Sequence, residues 1–356
     1  MRILQAITLS ELGGAQSVLI SLSNALVGLG HKVVVMSDPG GQLWDLIDPR
    51  IMREPCPHFI RNVDLRHDLP AIACIKRTYA KYRPDIVHLH SSKAGALGRL
   101  SLAAQRDRII YTIHGFDTIL KANRQYLPVE KVLCAYARKL VPVSAYDEHN
   151  MRSHGIRNTV LVENSCPDHS RSNRKDEELE AIRSRHAFLV MCVARVAPPK
   201  RWDLFADVAR LFLGVDMAFV WIGKKQTLPS MPPNAYFLGE RSDAGGLMHY
   251  ADIFMLPSDY EGQPITILEA FSCGVPVIAS AVGGIPDMLD GENGFACPND
   301  VREFAGRLRY LLENPAARRN AGNAARATWE SRFSIERMVR GYLAIYEEMM
   351  ERKNGS

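Results

Sequence analysis

The sequence predicts a two-domain α/β protein in which each domain is a doubly wound parallel sheet. Three observations carry that expectation. A chain of 356 residues exceeds one ordinary core and suits about two domains. In both halves short apolar runs alternate with helix-periodic stretches, the pattern of parallel strands joined by crossover helices. Between the halves the segment from Cys166 to about His186, C-P-D-H-S-R-S-N-R-K-D-E-E-L in its first part, turns polar and charged and reads as a linker passing into a helix. The expected divisions are therefore 1–165, a linker over 166–186, and a second domain from 187 to 334.

The elements follow in order. Arg2–Ile7 is expected as the first strand; its apolar start superficially resembles a signal peptide, but it is short and Glu11 follows at once. Gly13-Gly14 is a turn, and Ala15–Leu29 is a helix with Val18, Leu19, Leu22 and Leu26 on one face, ended by Gly30. Further strands are expected at Lys32–Met36, Ile86–Leu89, Ile109–Ile113, Leu140–Val143 and Val160–Val162. The second half repeats the alternation with strands Phe188–Val193, Met217–Ile222, Ala235–Leu238, Ile253–Leu256 and Val275–Ala279. Helices are expected at Arg201–Phe212, Ala244–Tyr250, 301–313, 316–331 and 334–352; in the last, Ile335, Met338, Val339, Tyr342, Leu343, Tyr346 and Met349 form an apolar stripe.

Composition narrows the class. Hydrophobic content of 47% and charged content of 23% are those of a soluble globular protein, and no apolar run approaches the roughly 18 residues that span a bilayer. Seven cysteines without a C-x-x-C pair argue for a reducing, cytoplasmic setting and against structural zinc. The net charge of +5 conceals an asymmetry: residues 1–165 hold 21 Lys+Arg against 14 Asp+Glu, the remainder 23 against 25. The basic half is expected to face an anionic surface, a membrane rather than nucleic acid. The stretch 71–83 sets Ile72 and Ile75 beside Lys76, Arg77, Lys81 and Arg83, which suits either a membrane-surface helix or a helix that simply covers the sheet.

The most telling residues lie in the second half. Eight positions separate Glu261 from Glu269 in Y-E-G-Q-P-I-T-I-L-E-A, which places one carboxylate in a Gly-containing loop and the other on the following helix, with Pro264 as its first residue. Free N–H groups at such a helix start welcome an anion, so two acids there can serve different parts of one ligand. Arg195 and Lys200, in R-V-A-P-P-K after a strand, are cations suited to a leaving diphosphate or else ordinary surface charges. Gly14, in the turn after the first strand, lets backbone N–H groups face a phosphate or merely makes a tight turn. His114 ends a strand at the carboxyl edge where open α/β sheets bind ligands; with a pKa near neutrality it could donate to a hydroxyl. His88, His90 and Lys93 stand at another strand end, where His88 reads as a core residue.

The run from Tyr260 to Asp287 resembles the E-G-x-P-x-x-x-L-E-A-x-x-x-G-x-P-V-I-A signature, closed by Gly-Gly, of glycosyltransferase family 4, retaining enzymes of the GT-B fold. The stretch from His88 to Leu100 is similar to the H-x-H-x-x-K-A-G-x-x-G-R-L run of capsule and exopolysaccharide members. The resemblance implies two Rossmann-like domains facing a cleft, with a C-terminal helix, about 335–356, crossing back to the N-terminal domain. It implies a retaining, metal-independent transfer of a hexose or N-acetylhexosamine from a nucleotide-diphosphate sugar, UDP favoured, to a lipid-diphosphate-linked saccharide in capsule, exopolysaccharide or O-antigen assembly. Glu269 would bind the ribose, Glu261 the sugar or its developing charge, and Arg195 and Lys200 the diphosphate. Backbone amides of Gln263, Ile265 and Thr266 would orient the donor, Gly14 would approach its diphosphate, His114 would reach the transferred sugar, and His90 and Lys93 would touch acceptor phosphates. No cofactor and no metal are implied, and the protein would be cytoplasmic and peripheral on the inner membrane face. Departures occur at Arg201, where the family has Gly after the Lys, at Ser165 for Gly after Asn164, and at Asp287 for Glu. A nucleotide-sugar epimerase of the same fold and a non-catalytic donor- or acceptor-binding subunit are the alternatives.

Overall fold

The computed structural model describes residues 1–224 and 231–354, with side chains through residue 351. Residues 355 and 356 of the expected crossover helix lie outside this set. The chain forms two compact units: residues 1–165 together with the C-terminal segment from Ile335, and Cys166–Ser334.

Unit 1 runs β1 (Arg2–Ala6), α1 (Gly14–Gly28), β2 (Lys32–Ser37), α2 (Leu43–Leu46), β3 (Met52–Pro55), α3 (Leu65–Tyr82), β4 (Ile86–His90), α4 (Ser92–Ser101), β5 (Ile109–Ile113), α5 (Leu127–Leu133), β6 (Lys139–Pro142) and α6 (Ala145–Ser153). Its sheet is parallel throughout in the order β3-β2-β1-β4-β5-β6. Central strands such as V-V-V-M and I-V-H-L-H are buried on both faces, as helices on either side of a parallel sheet require.

Unit 2 contains α7 (Glu177–Arg183), β7 (Phe188–Val193), α8 (Trp202–Arg210), β8 (Met217–Ile222), β9 (Ala235–Gly239), β10 (Ile253–Leu256), α9 (Ile265–Ser272), β11 (Val277–Ser280), β12 (Gly294–Cys297), α10 (Val301–Glu313) and α11 (Pro315–Thr328). Its parallel sheet has the order β12-β11-β10-β7-β8-β9. Each sheet thus reverses its winding direction once, between β1 and β4 and between β7 and β10, and such switch points are where doubly wound sheets hold ligands. The final helix, α12 (Ile335–Asn354), belongs to unit 1, packs on α1 and buries Met338, Val339, Tyr342, Ile345, Tyr346 and Met349.

Several expected elements differ from the structure. Val160–Val162 is no strand: it runs beside β6 with a single bridge, Leu140 to Thr159. The unexpected strands are β3 and β12, one edge of each sheet, where four residues (M-R-E-P, G-F-A-C) are too few to present an alternation. Ala244–Tyr250 is a 3-10 segment over Gly245–Tyr250, and the strand begun at Val275 starts at Val277. Residues 166–186 are fastened to unit 2 by Asp168 to Arg326 (2.7 Å), Ser172 to the Gly246 carbonyl (2.7 Å) and Asp176 to Arg241 (2.7 Å). In 71–83 the apolar side chains face inward: Ile75 is in the core and Ile72 packs against it, so this stretch covers the sheet. Among the described residues no helix is long and apolar enough to cross a membrane.

Candidate active site

In unit 2 the loops after β7 and β10, the two strands at the switch point, are knit together. Arg201 N–H donates to the Pro257 carbonyl (3.1 Å), Asp259 N–H to the Pro199 carbonyl (2.9 Å), and Lys200 bridges Ser258. This brings Lys200 to Glu261: the ammonium pairs with Glu261 Oε1, which also accepts from Ser258 Oγ (2.6 Å). Both charged side chains are mostly buried, at 17% and 12% exposure, so the pair lies where fixed charge is weakly screened. Ser258 is itself braced by Ser280 Oγ (2.7 Å) and Asn299 Nδ2 (2.8 Å). Ser258, absent from the sequence-level set, offers no signal beyond standing three residues before Glu261.

The Gly283-Gly284 turn after β11 explains the closing glycines of the signature. Gly283 has φ +58°, and a Cβ there would lie 1.7 Å from the Glu261 carbonyl oxygen; Gly284 N–H donates to the Gly262 carbonyl (3.0 Å). Only glycine lets this turn support the Glu261 loop. Pro264, expected as the first helical residue, is instead the residue before it, extended at ψ 122°, so α9 opens at Ile265 and the amides of Ile265 and Thr266 belong to its unsatisfied first turn. Gln263 is buried in the loop.

Glu269 lies one turn into α9 with no ion-pair or hydrogen-bond partner for its carboxylate among the described residues. Burial, with Asp243 adding negative charge, pushes its carboxyl up to about 8. A Cβ on Gly245 would come within 3.0 Å of that carboxyl carbon and 2.7 Å of His169 Nε2, a buried nitrogen without a hydrogen-bond partner among the described residues. Asp243 and His169 thus join Glu269 at a spot that sequence spacing could not connect. Because the folded carboxyl titrates above its unfolded value, it favours folding below about pH 4.5, and this contribution is lost as pH rises through about 8. Glu269→Gln is therefore expected to raise the melting temperature relative to wild type by a margin that grows from pH 5 to pH 9; a margin independent of pH would refute the assignment. Arg195 is exposed and, among the described residues, has no ion-pair partner. Arg201 sits at φ −95°, needs no glycine, and is held by Asp203 and Asp259.

In unit 1 the loops after β1 and β4 meet at the other switch point. Thr8 N–H donates to Ser91 Oγ (3.1 Å), and Ala94 N–H to Thr8 Oγ1 (3.1 Å). Gly14 opens α1 there, after an extended Gly13. His114 follows β5, its Nε2 3.1 Å from His90 Nδ1. Burial pushes its pKa down to about 4, which corrects the near-neutral value expected: His114 is a neutral imidazole at physiological pH. The acceptor contacts expected of His90 and Lys93 do not fit. His90 is fully buried with both ring nitrogens engaged, and Lys93 is nearly buried, paired with Asp68 (2.6 Å) and donating to the Asn62 carbonyl. A core position, where hydrogen-bonded side chains satisfy one another, leaves neither free for a phosphate.

Two doubly wound parallel sheets, each with loops that meet at its switch point, define a two-domain α/β protein. Two family models divide the chain accordingly: Glycosyltransferase Family 4 matches residues 12–165 and Glycosyl transferases group 1 matches residues 187–314, so the protein belongs to these GT-B glycosyltransferases. It is 27% identical over 333 residues to the UDP-Gal:alpha-D-GlcNAc-diphosphoundecaprenol alpha-1,3-galactosyltransferase of Escherichia coli, covering 85% of this chain and 86% of the relative. It is 26% identical to the O-antigen biosynthesis glycosyltransferase WbnH of the same organism, over 95% and 97% of the two chains. Among solved structures, HepE of Anabaena in complex with UDP and glucose superposes with TM-score 0.83 at 19% identity, covering 98% of this chain and all of the other. A glycosyltransferase of Rickettsia africae gives 0.78 at 21%, covering 98% of each.

Proposed function

We propose that this glycosyltransferase moves a hexose or N-acetylhexosamine, with retention, from a UDP-sugar to a lipid-diphosphate-linked saccharide during surface-polysaccharide assembly, without a metal. The carrying observation is the mostly buried Lys200–Glu261 pair at the unit 2 switch point, in the loop that leads into α9, with the Glu269 carboxyl one turn into that helix. Glu269, kept largely protonated at pH 7 by its burial, exchanges hydrogen bonds with the ribose hydroxyls, Glu261 faces the sugar, and Lys200 and Arg195 stabilise the leaving diphosphate. Gly14 and the amides of Gln263, Ile265 and Thr266 supply N–H groups for phosphate and sugar. As the sugar C1–O bond to the diphosphate breaks, the departing oxygen takes the proton of the acceptor hydroxyl, which forms the new bond on the same face. His114 of unit 1 hydrogen-bonds a sugar hydroxyl as a neutral ring. The E. coli relative's name specifies a UDP-sugar and a diphosphoundecaprenol acceptor, which supports this donor and acceptor class.

The test is a thermal-shift panel of UDP-, GDP-, ADP- and dTDP-sugars on wild type and Glu269→Ala. Stabilisation by UDP-sugars alone, lost in the variant, is expected; stabilisation by another nucleotide would replace the donor, and none by any would remove the reading. Release of a free epimer from donor alone would point to an epimerase, and binding without turnover to a silent subunit.

For the membrane, Val63, Leu65 and Leu69 lie near Arg61 and Arg66 in sequence, and Val129 and Val132 near Arg124 and Lys131, all exposed. The only acid on α5, Glu130, is buried. Exposed apolar side chains interspersed in sequence with cations suit an anionic bilayer. Wild type is expected to sediment with phosphatidylglycerol vesicles at low salt and Val129→Asp/Val132→Asp to lose at least about tenfold in affinity; equal binding by both would exclude these side chains as the contact.

A further inference from the structure

Behind His114 lies a buried file of polar side chains. His114 Nε2 is 3.1 Å from His90 Nδ1, and His90 Nε2 is 2.7 Å from Gln5 Oε1. Gln5 and His90 are fully buried, on β1 and at the end of β4. An amide oxygen only accepts, so the proton between Gln5 and His90 sits on His90 Nε2. Burial, with His88 and His114 nearby, holds His90 far below the range in which it would carry a second proton, so His90 Nδ1 is a lone pair. A lone pair must receive, so His114 donates from Nε2 to His90. What remains on His114 is Nδ1, bare of hydrogen, buried, and without a partner among the described residues.

We propose that Gln5 and His90 are positioning residues that lock His114 in its Nε2–H tautomer, leaving Nδ1 as the ring's remaining hydrogen-bond acceptor, for a hydroxyl of the saccharide substrate. The choice of a saccharide hydroxyl rests on the function proposed above; the tautomer does not. The direction of the bond reverses the sequence-level expectation that His114 donates. It also gives the buried His90 a role that direct phosphate contact could not. A second file, His88 Nε2 to Thr112 Oγ1 (2.7 Å) and Thr112 Oγ1 to Tyr342 OH (3.0 Å), with Tyr346 OH on His88 Nδ1 (2.7 Å), holds the His88 ring against His90, centroids 4.1 Å apart. The His90 ring therefore has little room to turn over and reverse the file.

The experiment is NMR of the full chain with 15N-labelled histidine and no ligand, His114 assigned by His114→Asn. The expected result is a protonated Nε2 and an unprotonated Nδ1 at pH 7. In Gln5→Leu, checked for native melting, a mixture of both tautomers is expected, because His90 then has no fixed acceptor. An Nδ1–H ring in wild type overturns the proposal without any variant, and so does a single unchanged tautomer in folded Gln5→Leu. With an active donor in hand, Gln5→Leu should lower kcat/KM about tenfold while UDP affinity stays unchanged. A locked tautomer in a chain that transfers no sugar would sink the proposed function and leave this inference standing.

Discussion

Lys200→Ala is expected to lower kcat about 100- to 1000-fold while changing nucleotide affinity far less. The reason is where charge appears. In the ground state the diphosphate shares its charge with the sugar bond; as that bond breaks, negative charge grows on the leaving oxygen, and a cation held in place at 17% exposure meets it without reorganisation. The protein fixes that cation through Glu261 and holds the backbone that carries it through the bridge to Ser258. Arginine at 200 is not expected to rescue, since a planar fork cannot occupy the site of a compact ammonium against Glu261. Arg201→Ala, one residue on and engaged with Asp203 and Asp259 instead, should stay within a few-fold of wild type. Steady-state kinetics with the donor found by thermal shift decides it, with turnover in EDTA confirming that the cation and not a metal answers the charge. A loss in Lys200→Ala below about fivefold, or a loss confined to KM, would move the diphosphate elsewhere.

How much of this could be read in the chain depends on whether a residue's neighbours were close in sequence. Glu261, Pro264 and Glu269 lie within one loop and helix, so their spacing already places them together, and the parallel strands at Phe188–Val193, Ile253–Leu256 and Ile109–Ile113 stand at their expected residues because buried central strands are continuous apolar runs. Asp243 and His169 reach Glu269 only through tertiary folding, and Gln5 reaches His90 across 85 positions. The run from His88 to Leu100 misled in the opposite way. His90 and Lys93 read as polar ligands at a strand end, yet most of the run serves the fold: His88 is the core residue expected and joins α12, Lys93 pairs with Asp68, and a Cβ on Gly95 would strike the Tyr111 ring at 2.5 Å. A motif shows which residues must stay, and the packing shows whether they touch a ligand or each other.

The penultimate residue of that run, Arg99, is where this distinction has its largest energetic consequence. Its guanidinium is wholly buried, grips both Glu130 oxygens (2.7 and 2.8 Å), donates from Nε to the Gly95 carbonyl (2.8 Å) and lies over the Tyr111 ring at 4.4 Å. A pair so placed joins α4 to α5 across a medium in which neither charge has water. Arg99→Met strands the Glu130 carboxylate, and breaking a buried pair from one side costs about 3–5 kcal/mol. For a unit of this size that is a fall in melting temperature of about 6–20 °C. Removing both charges, in Arg99→Met/Glu130→Leu, deletes the penalty with the pair and should recover most of the loss. Calorimetry of wild type, both single variants and the double separates the readings. If the double variant falls by the sum of the singles, the two side chains act independently and the ion pair does not join the helices. If it recovers, Arg99 is a structural residue and the polysaccharide-type motif that contains it is, at this position, a requirement of folding.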